Sequence, residues 1–289
     1  MKRVTILLIM SFLSACSTFK PQLLDYSVID IEKPKHQMAY GVYTPPNWQQ
    51  GEALPLILLL HGGGGSHYSF ERFGSVEYLD EKIINGEIPR VIIVTPNGNN
   101  GFWENWADGS HNYRDWVLDR VLPKVQQDYQ TLNCPEHCHL AGISMGGFGV
   151  LRFANLRKES FSSVSVISAP IYNNEDNEQK TSWLIKLLFP LERIFGKNFQ
   201  DKYHANSPYK AWLTEEQQVA VRLQLIWGEN DHNAIKLANQ KFHQHLIDNQ
   251  VEHDFYIYPG RHKWVDWIPN FSRIINFLVK GESGILVQE

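Results

Sequence analysis

The stretch His139-Leu140-Ala141-Gly142-Ile143-Ser144-Met145-Gly146-Gly147-Phe148-Gly149-Val150-Leu151-Arg152-Phe153 decides the architecture. Residues 139–143 form a short apolar run that reads as a strand, and residues 145–156 read as a helix. Ser144 alone separates them, so the chain must turn sharply about this one residue. Only small side chains fit beside such a turn, and Gly142 and Gly146 flank the serine as G-x-S-x-G. The turn lifts the Ser144 hydroxyl clear of a sheet edge and aims a helix N-terminus at whatever reacts there. The backbone N–H of Met145 is then expected to face a developing oxyanion. The bare pattern is short, and its place between strand and helix gives it weight.

Outward from this turn, strands and helices alternate. Residues 55–60, 91–95, 164–168, 222–227 and 254–258 read as strands, and 27–32 and 37–43 as two shorter ones forming a hairpin. Within 112–129 the apolar Trp116, Val117, Val121, Leu122 and Val125 recur at helical spacing, with a bend expected at Pro123. Residues 235–247 and 264–279 read as further helices. The alternation predicts an α/β fold, a mostly parallel central sheet with helices on both faces. It breaks at 172–213, read as an inserted cap in which Leu184, Leu187, Leu188, Leu191 and Phe195 fall near one helical face. That stripe fits either a lid over an acyl-chain pocket or ordinary packing onto the domain. The domain is expected over 27–280, with a tail at 281–289.

Composition narrows the function. With 289 residues, 43% hydrophobic and 12% aromatic, the chain has material for one large core. A formal charge of −4 offers no basic face for nucleic acid. No apolar run reaches the roughly 18 residues of a membrane span. The N-terminus reads as an address: Lys2 and Arg3 precede apolar residues 4–13, then Ser14, Ala15 and Cys16. This resembles a bacterial lipobox, so residues 1–15 are expected to be a signal peptide and Cys16 the lipid-bearing N-terminus. Residues 16–26 would be a tether, and plain secretion is the alternative. Ser17, where an Asp would favour the inner membrane, points to the outer membrane, with the domain facing periplasm or cell surface. In that oxidising setting Cys134 and Cys138 are expected to form a disulfide. A metal cluster with His137 and His139, or free thiols, are the other readings. His139 opens a strand and is poorly placed for such a cluster.

A serine is a weak nucleophile without a base, and the base needs an orienting acid. Gly228-Glu229-Asn230-Asp231 follows the strand 222–227, offering Asp231 as the acid with Glu229 as its rival. Pro259-Gly260-Arg261-His262 follows the strand 254–258, offering His262 as the base. His61-Gly62-Gly63-Gly64-Gly65 follows the strand 55–60, where glycines let backbone approach a substrate. Gly63 is the expected second oxyanion donor, with Gly64 as the neighbour able to replace it. No G-K-S/T follows, which argues against a phosphate loop, and His61 reads as a structural member of the turn. Phe102, Trp103, Trp106, Trp264 and Trp267, with His67 and Tyr68, fall in or beside loops of the same edge. They either contact substrate or pack the loops.

These segments, Leu58-Leu59-Leu60-His61-Gly62-Gly63-Gly64, Ala141 to Gly147, Trp227 to Asp231 and Pro259-Gly260-Arg261-His262-Lys263-Trp264, resemble the putative-esterase family of α/β-hydrolases. That family includes esterase D (S-formylglutathione hydrolase), tributyrin and feruloyl esterases, and the mycolyltransferases. The likeness covers about 37–279, and the order Ser144, Asp231, His262 is that of α/β-hydrolases. It implies an α/β-hydrolase fold with Ser144 as nucleophile, Asp231 as acid, His262 as base, and Gly63 and Met145 backbone as oxyanion hole. It implies no metal or organic cofactor. Where the family often has an acidic residue after the histidine, this chain has Lys263. The expected activity is hydrolysis of a carboxylic ester, with an acylated glycan, a lipid or a small molecule as substrate. An acyltransferase using the same residues, or a non-catalytic binding lipoprotein, are the alternatives.

Overall fold

The computed structural model describes residues 25–28, 38–172, 189–197, 207–212 and 221–281. The signal peptide, Cys16, and Leu184, Leu187 and Leu188 of the cap lie outside them. Eight strands are described: β1 (Asp25–Val28), β2 (Ala39–Tyr43), β3 (Leu56–Leu60), β4 (Ile92–Pro96), β5 (Cys138–Ile143), β6 (Ser163–Ile167), β7 (Arg222–Gly228) and β8 (Asp254–Tyr258). They form one sheet in the order β1-β2-β4-β3-β5-β6-β7-β8. β2 runs antiparallel to both its neighbours, and every pairing from β4 to β8 is parallel.

The run Leu56-Ile57-Leu58-Leu59-Leu60 shows why this sheet is covered on both faces. Side chains alternate along a strand, so Leu56, Leu58 and Leu60 enter one core with Phe148 and Leu151 of the helix Met145–Leu156. Ile57 and Leu59 enter the other with Leu79 of the helix Ser75–Ile84 and Ile274 of the helix Phe271–Lys280. Continuous apolar strands are what a parallel sheet buried on both sides requires. The register pairs Leu60 with Gly142, Ile143 with Ile167, Ile167 with Ile226, and Gly228 with Tyr258. The ends of β3, β5, β6, β7 and β8 therefore lie along one edge, where parallel sheets place ligands.

Several boundaries differ from expectation. The first strand is Asp25–Val28 in place of 27–32, so Asp25 and Tyr26 belong to the sheet and not to a tether ending at 26. The expected helix 112–129 is an α-helical turn Tyr113–Trp116, a π-turn Val117–Val121 and an α-helix Leu122–Tyr129. Pro123 has no N–H for a carbonyl one turn back, and the chain widens just before it. The closing helix is likewise divided at Pro269 into Trp264–Trp267, a 3₁₀ turn Ile268–Asn270, and Phe271–Lys280. Between β6 and β7 the helices Leu191–Phe195 and Pro208–Ala211 are described, and Leu191, Phe195 and Tyr209 pack into the main core. Cys134 and Cys138 form a disulfide. His139 is committed elsewhere, its Nδ1 2.8 Å from Ser163 Oγ, and burial pushes its pKa down to about 3.

Candidate active site

Ser144 sits at the one-residue turn between β5 and the following helix with φ 54° and ψ −118°. This left-handed backbone is strained for a residue with a Cβ. It is held by the Ser144 N–H, which donates to the Ile167 carbonyl at 2.7 Å. The glycines on either side are steric necessities. A Cβ on Gly142 would overlap the Gly146 carbonyl, and one on Gly146 would overlap the Leu60 carbonyl.

The structure brings His262 and Asp231 to this serine. His262 Nε2 lies 3.0 Å from Ser144 Oγ, and His262 Nδ1 lies 2.9 Å from Asp231 Oδ1. The Asp231 side chain is fully buried, that of His262 is 16% exposed, and Asp231 Oδ1 also accepts the His232 N–H at 2.6 Å. An ionised carboxylate only accepts hydrogen bonds. Its contact with Nδ1 therefore places the imidazole proton there and turns the Nε2 lone pair toward the serine. Glu229, the rival acid, is exposed. The two loops are laced together: the Glu229 N–H donates to Tyr258 O at 2.8 Å and the Asn230 N–H to Gly260 O at 2.9 Å. Tyr258 secures the base loop from beneath, its hydroxyl reaching Arg261 O at 3.4 Å, and burial pushes its pKa up to about 12. Trp267 stands edge-on to the imidazole, with ring centres 4.9 Å apart.

On the other side of Ser144 lies the loop His61–Gly65. The Gly98 N–H donates to His61 Nε2 at 3.1 Å, so that nitrogen is unprotonated and Nδ1 carries the proton. Nδ1 in turn contacts Gly62 O at 2.8 Å, and the Gly65 N–H donates to the same carbonyl at 3.1 Å. Burial holds the pKa of His61 down to about 4, which keeps the ring neutral. In a planar trans peptide the N–H points opposite to the C=O. Two donors on the Gly62 carbonyl thus fix the direction of the Gly63 N–H. The Gly64 N–H is occupied, donating to Asn100 Oδ1 at 2.7 Å. That separates the two candidate donors: among the described residues nothing accepts from the N–H of Gly63 or Met145. Asn100 and Phe189 are neighbours that the sequence reading did not single out. The Phe189 ring rests on Gly63, where a Cβ would collide with it. No local pattern marks either residue, because both act across the fold.

The remaining aromatics divide. Trp103 is fully buried as a wedge between Gly98 and Gly149, its Nε1 donating to His61 O at 3.2 Å. Phe102 is buried against Phe148. Both pack the loop. Its far end is anchored by a buried ion pair, Arg152 Nε to Glu104 Oε1 at 2.7 Å, which ties the loop to the serine's own helix. Trp106 lines an adjoining cleft of about 500 Å³ with Asn99, Asn100 and Arg193, which shares Gly64 and Gly65 with the cleft of Ser144. Tyr68, Trp264 and Trp267 line the cleft of about 660 Å³ that contains Ser144 and His262. His67 is buried and is not among that cleft's lining residues.

A parallel sheet of this order, with a serine at a strand-to-helix turn and histidine and aspartate beyond later strands, defines an α/β-hydrolase. The chain belongs to the family described as "Putative esterase", whose model matches residues 31–278. An esterase of Mycobacterium tuberculosis is 26% identical over 242 residues, covering 77% of this chain and 52% of the relative. The chain thus spans about half the length of the curated relatives it matches. Among solved structures, a ferulic acid esterase superposes with a TM-score of 0.71 at 22% identity, covering 89% of this chain and 97% of that one. An S-formylglutathione hydrolase from Staphylococcus aureus gives 0.67 at 22% identity, covering 89% and 100%.

Proposed function

We propose that the chain is a serine esterase that cleaves a carboxylic ester through an acyl-enzyme on Ser144. The observation that carries this reading is the unbroken relay from Ser144 Oγ through His262 to the buried carboxylate of Asp231. As Oγ attacks the ester carbonyl, its proton passes to Nε2, and Asp231 stabilises the imidazolium without taking a proton itself. The carbonyl oxygen gains negative charge where the N–H groups of Met145 and Gly63 are free to donate, each worth roughly 3–4 kcal/mol. The tetrahedral species collapses, His262 returns the proton to the departing alcohol, and the acyl group stays on Ser144. Water, deprotonated by His262, then attacks the acyl-enzyme and releases the acid. The names of the neighbouring esterases support an ester as substrate, either a small molecule or an acylated glycan or lipid.

Hydrolysis of p-nitrophenyl acetate, butyrate and octanoate tests this. Ser144→Ala is expected to lose about a million-fold in turnover, as serine-triad enzymes do when the nucleophile is removed. Retention of activity in the variant would overturn the assignment. We further propose that Cys16 bears lipid and holds the domain at the outer membrane, on the strength of the leader-like residues before it. Palmitate labelling of the full chain that persists in Cys16→Ala would refute it.

A further inference from the structure

Among the described residues, the formal charges lining the cleft of Ser144 have one sign. Beyond His262 its wall continues as a ladder of rings. Trp264 lies 5.7 Å from Trp267, and Phe73 stacks on Trp264 at 5.2 Å with the planes 15° apart. The Arg72 guanidinium sits 5.7 Å from the centre of Phe73. Arg72 and Lys263 both line this cleft, both are exposed, and among the described residues no carboxylate lines it. In a chain of net charge −4 that is a local reversal. The nearby acid Asp266 does not line the cleft; its Oδ2 is engaged by the Arg261 N–H at 2.9 Å and Nε at 3.1 Å, and these bonds, helped by the charges of Arg261 and, more weakly, Lys263, hold its pKa down. Among the described residues neither Arg72 nor Lys263 forms an ion pair. Tyr68, Phe73 and Val265 remain 50%, 45% and 66% exposed around the same mouth. Apolar walls exclude water and strengthen the field of a cation beside them, and a flat ring pair adds a surface for the stem of a ligand.

We propose that this cleft selects esters bearing a negative charge, which Arg72 and Lys263 hold beside the Phe73–Trp264 pair. The inference rests on the esterase reading of Ser144 and adds the class of substrate. A neutral ester draws nothing from the two cations, and a cationic one is repelled.

Matched esters decide it. Mono-p-nitrophenyl glutarate against p-nitrophenyl butyrate places the charge on the acyl group. p-Acetoxybenzoate against phenyl acetate places it on the alcohol. The full chain is expected to favour the anionic member of one pair by about tenfold in kcat/KM, mainly through KM, with the preference shrinking at high salt. In the double variant Arg72→Gln, Lys263→Gln the anionic-to-neutral ratio collapses, and comparison with the wild type cancels the intrinsic reactivity of the esters. No preference in either pair, or one that survives the double substitution, overturns the proposal. Turnover of the neutral esters reports separately on the esterase reading. If neither neutral ester is cleaved, calorimetric binding of mono-p-nitrophenyl glutarate and p-nitrophenyl butyrate to the Ser144→Ala chain, with and without the two substitutions, still decides. Tighter binding of the anion that the substitutions abolish supports charge selection, and equal binding refutes it.

Discussion

The two sides of Ser144 are built by different means. Toward β7 and β8, side chains face the serine: His262 and Asp231 stand on adjacent strand ends and are ordered by one charge-assisted contact of 2.9 Å. Toward β3 the serine faces the main chain of the His61–Gly65 loop, and the side chains that fix that loop's peptide planes come from outside the catalytic relay. His61 grips Gly62, Asn100 grips Gly64, and Trp103 wedges the neighbouring loop whose end is tied down by Glu104 and Arg152. One side depends on which group bears charge, the other on where a peptide plane points. Substitutions on the two sides should therefore fail in different ways.

Among substitutions that leave the nucleophile in place, Asp231→Asn should bring the largest loss. An amide can present its NH₂ to Nδ1 and stabilise the wrong tautomer, so turnover of p-nitrophenyl butyrate should fall about ten-thousandfold. A loss of only a few-fold would mean that the charged side is not governed by its carboxylate. Arg152→Met should act on stability: it leaves the buried Glu104 carboxylate with only the longer contact from Arg114 Nη1 at 3.4 Å, at a cost of up to about 3–5 kcal/mol in urea unfolding. Adding Glu104→Gln should recover much of that, and failure to recover would show that the pair is not the anchor of the loop. His61→Ala should lower turnover about a hundredfold through kcat, with KM little changed, if a misaligned Gly63 N–H forfeits most of one oxyanion donor. The same residue ties stability to pH. Burial lowers the pKa of His61 from 6.5 to about 4, so between those values the unfolded chain binds a proton that the folded one does not. His61 thus contributes stability above pH 6.5 that is lost as the pH falls toward 4. His139 and His243, lowered to about 3 and about 4 by burial, act in the same direction. The melting temperature should drop on acidification through that window, and less steeply in His61→Ala. An unchanged slope would separate His61 from the effect.

The same contrast explains how much was legible in the sequence. Ser144 follows β5 directly, and Asp231 and His262 follow the ends of β7 and β8 by three and four residues, where chemistry dictates the residue type, so composition and order suffice to point to them. The parallel sheet announced itself through runs such as Leu56–Leu60 that have no polar face. What stayed hidden acts across the chain. Asn100 reaches Gly64 from 36 residues away, and Arg152 reaches Glu104 from 48. Neither has a local signature. The helix Ser75–Ile84 does carry one, with Val76, Leu79 and Ile83 on a single buried face, a short stripe that lies between the stronger signals of the glycine loop and β4. Pro123 signalled a disturbance but not its form, since a bend and a π-turn meet the same missing N–H.

The ring of Phe189 lying on Gly63 has a consequence for how this enzyme family can diversify. Phe189 belongs to the stretch between β6 and β7, outside the sheet. Yet it touches the backbone proposed to steady the reacting oxygen. A lineage that reshaped this stretch to admit a new substrate would therefore also disturb the loop proposed to hold an oxyanion donor. Selection for new specificity and selection for speed meet at one aromatic ring, and early intermediates on such a path should be generalists that work slowly.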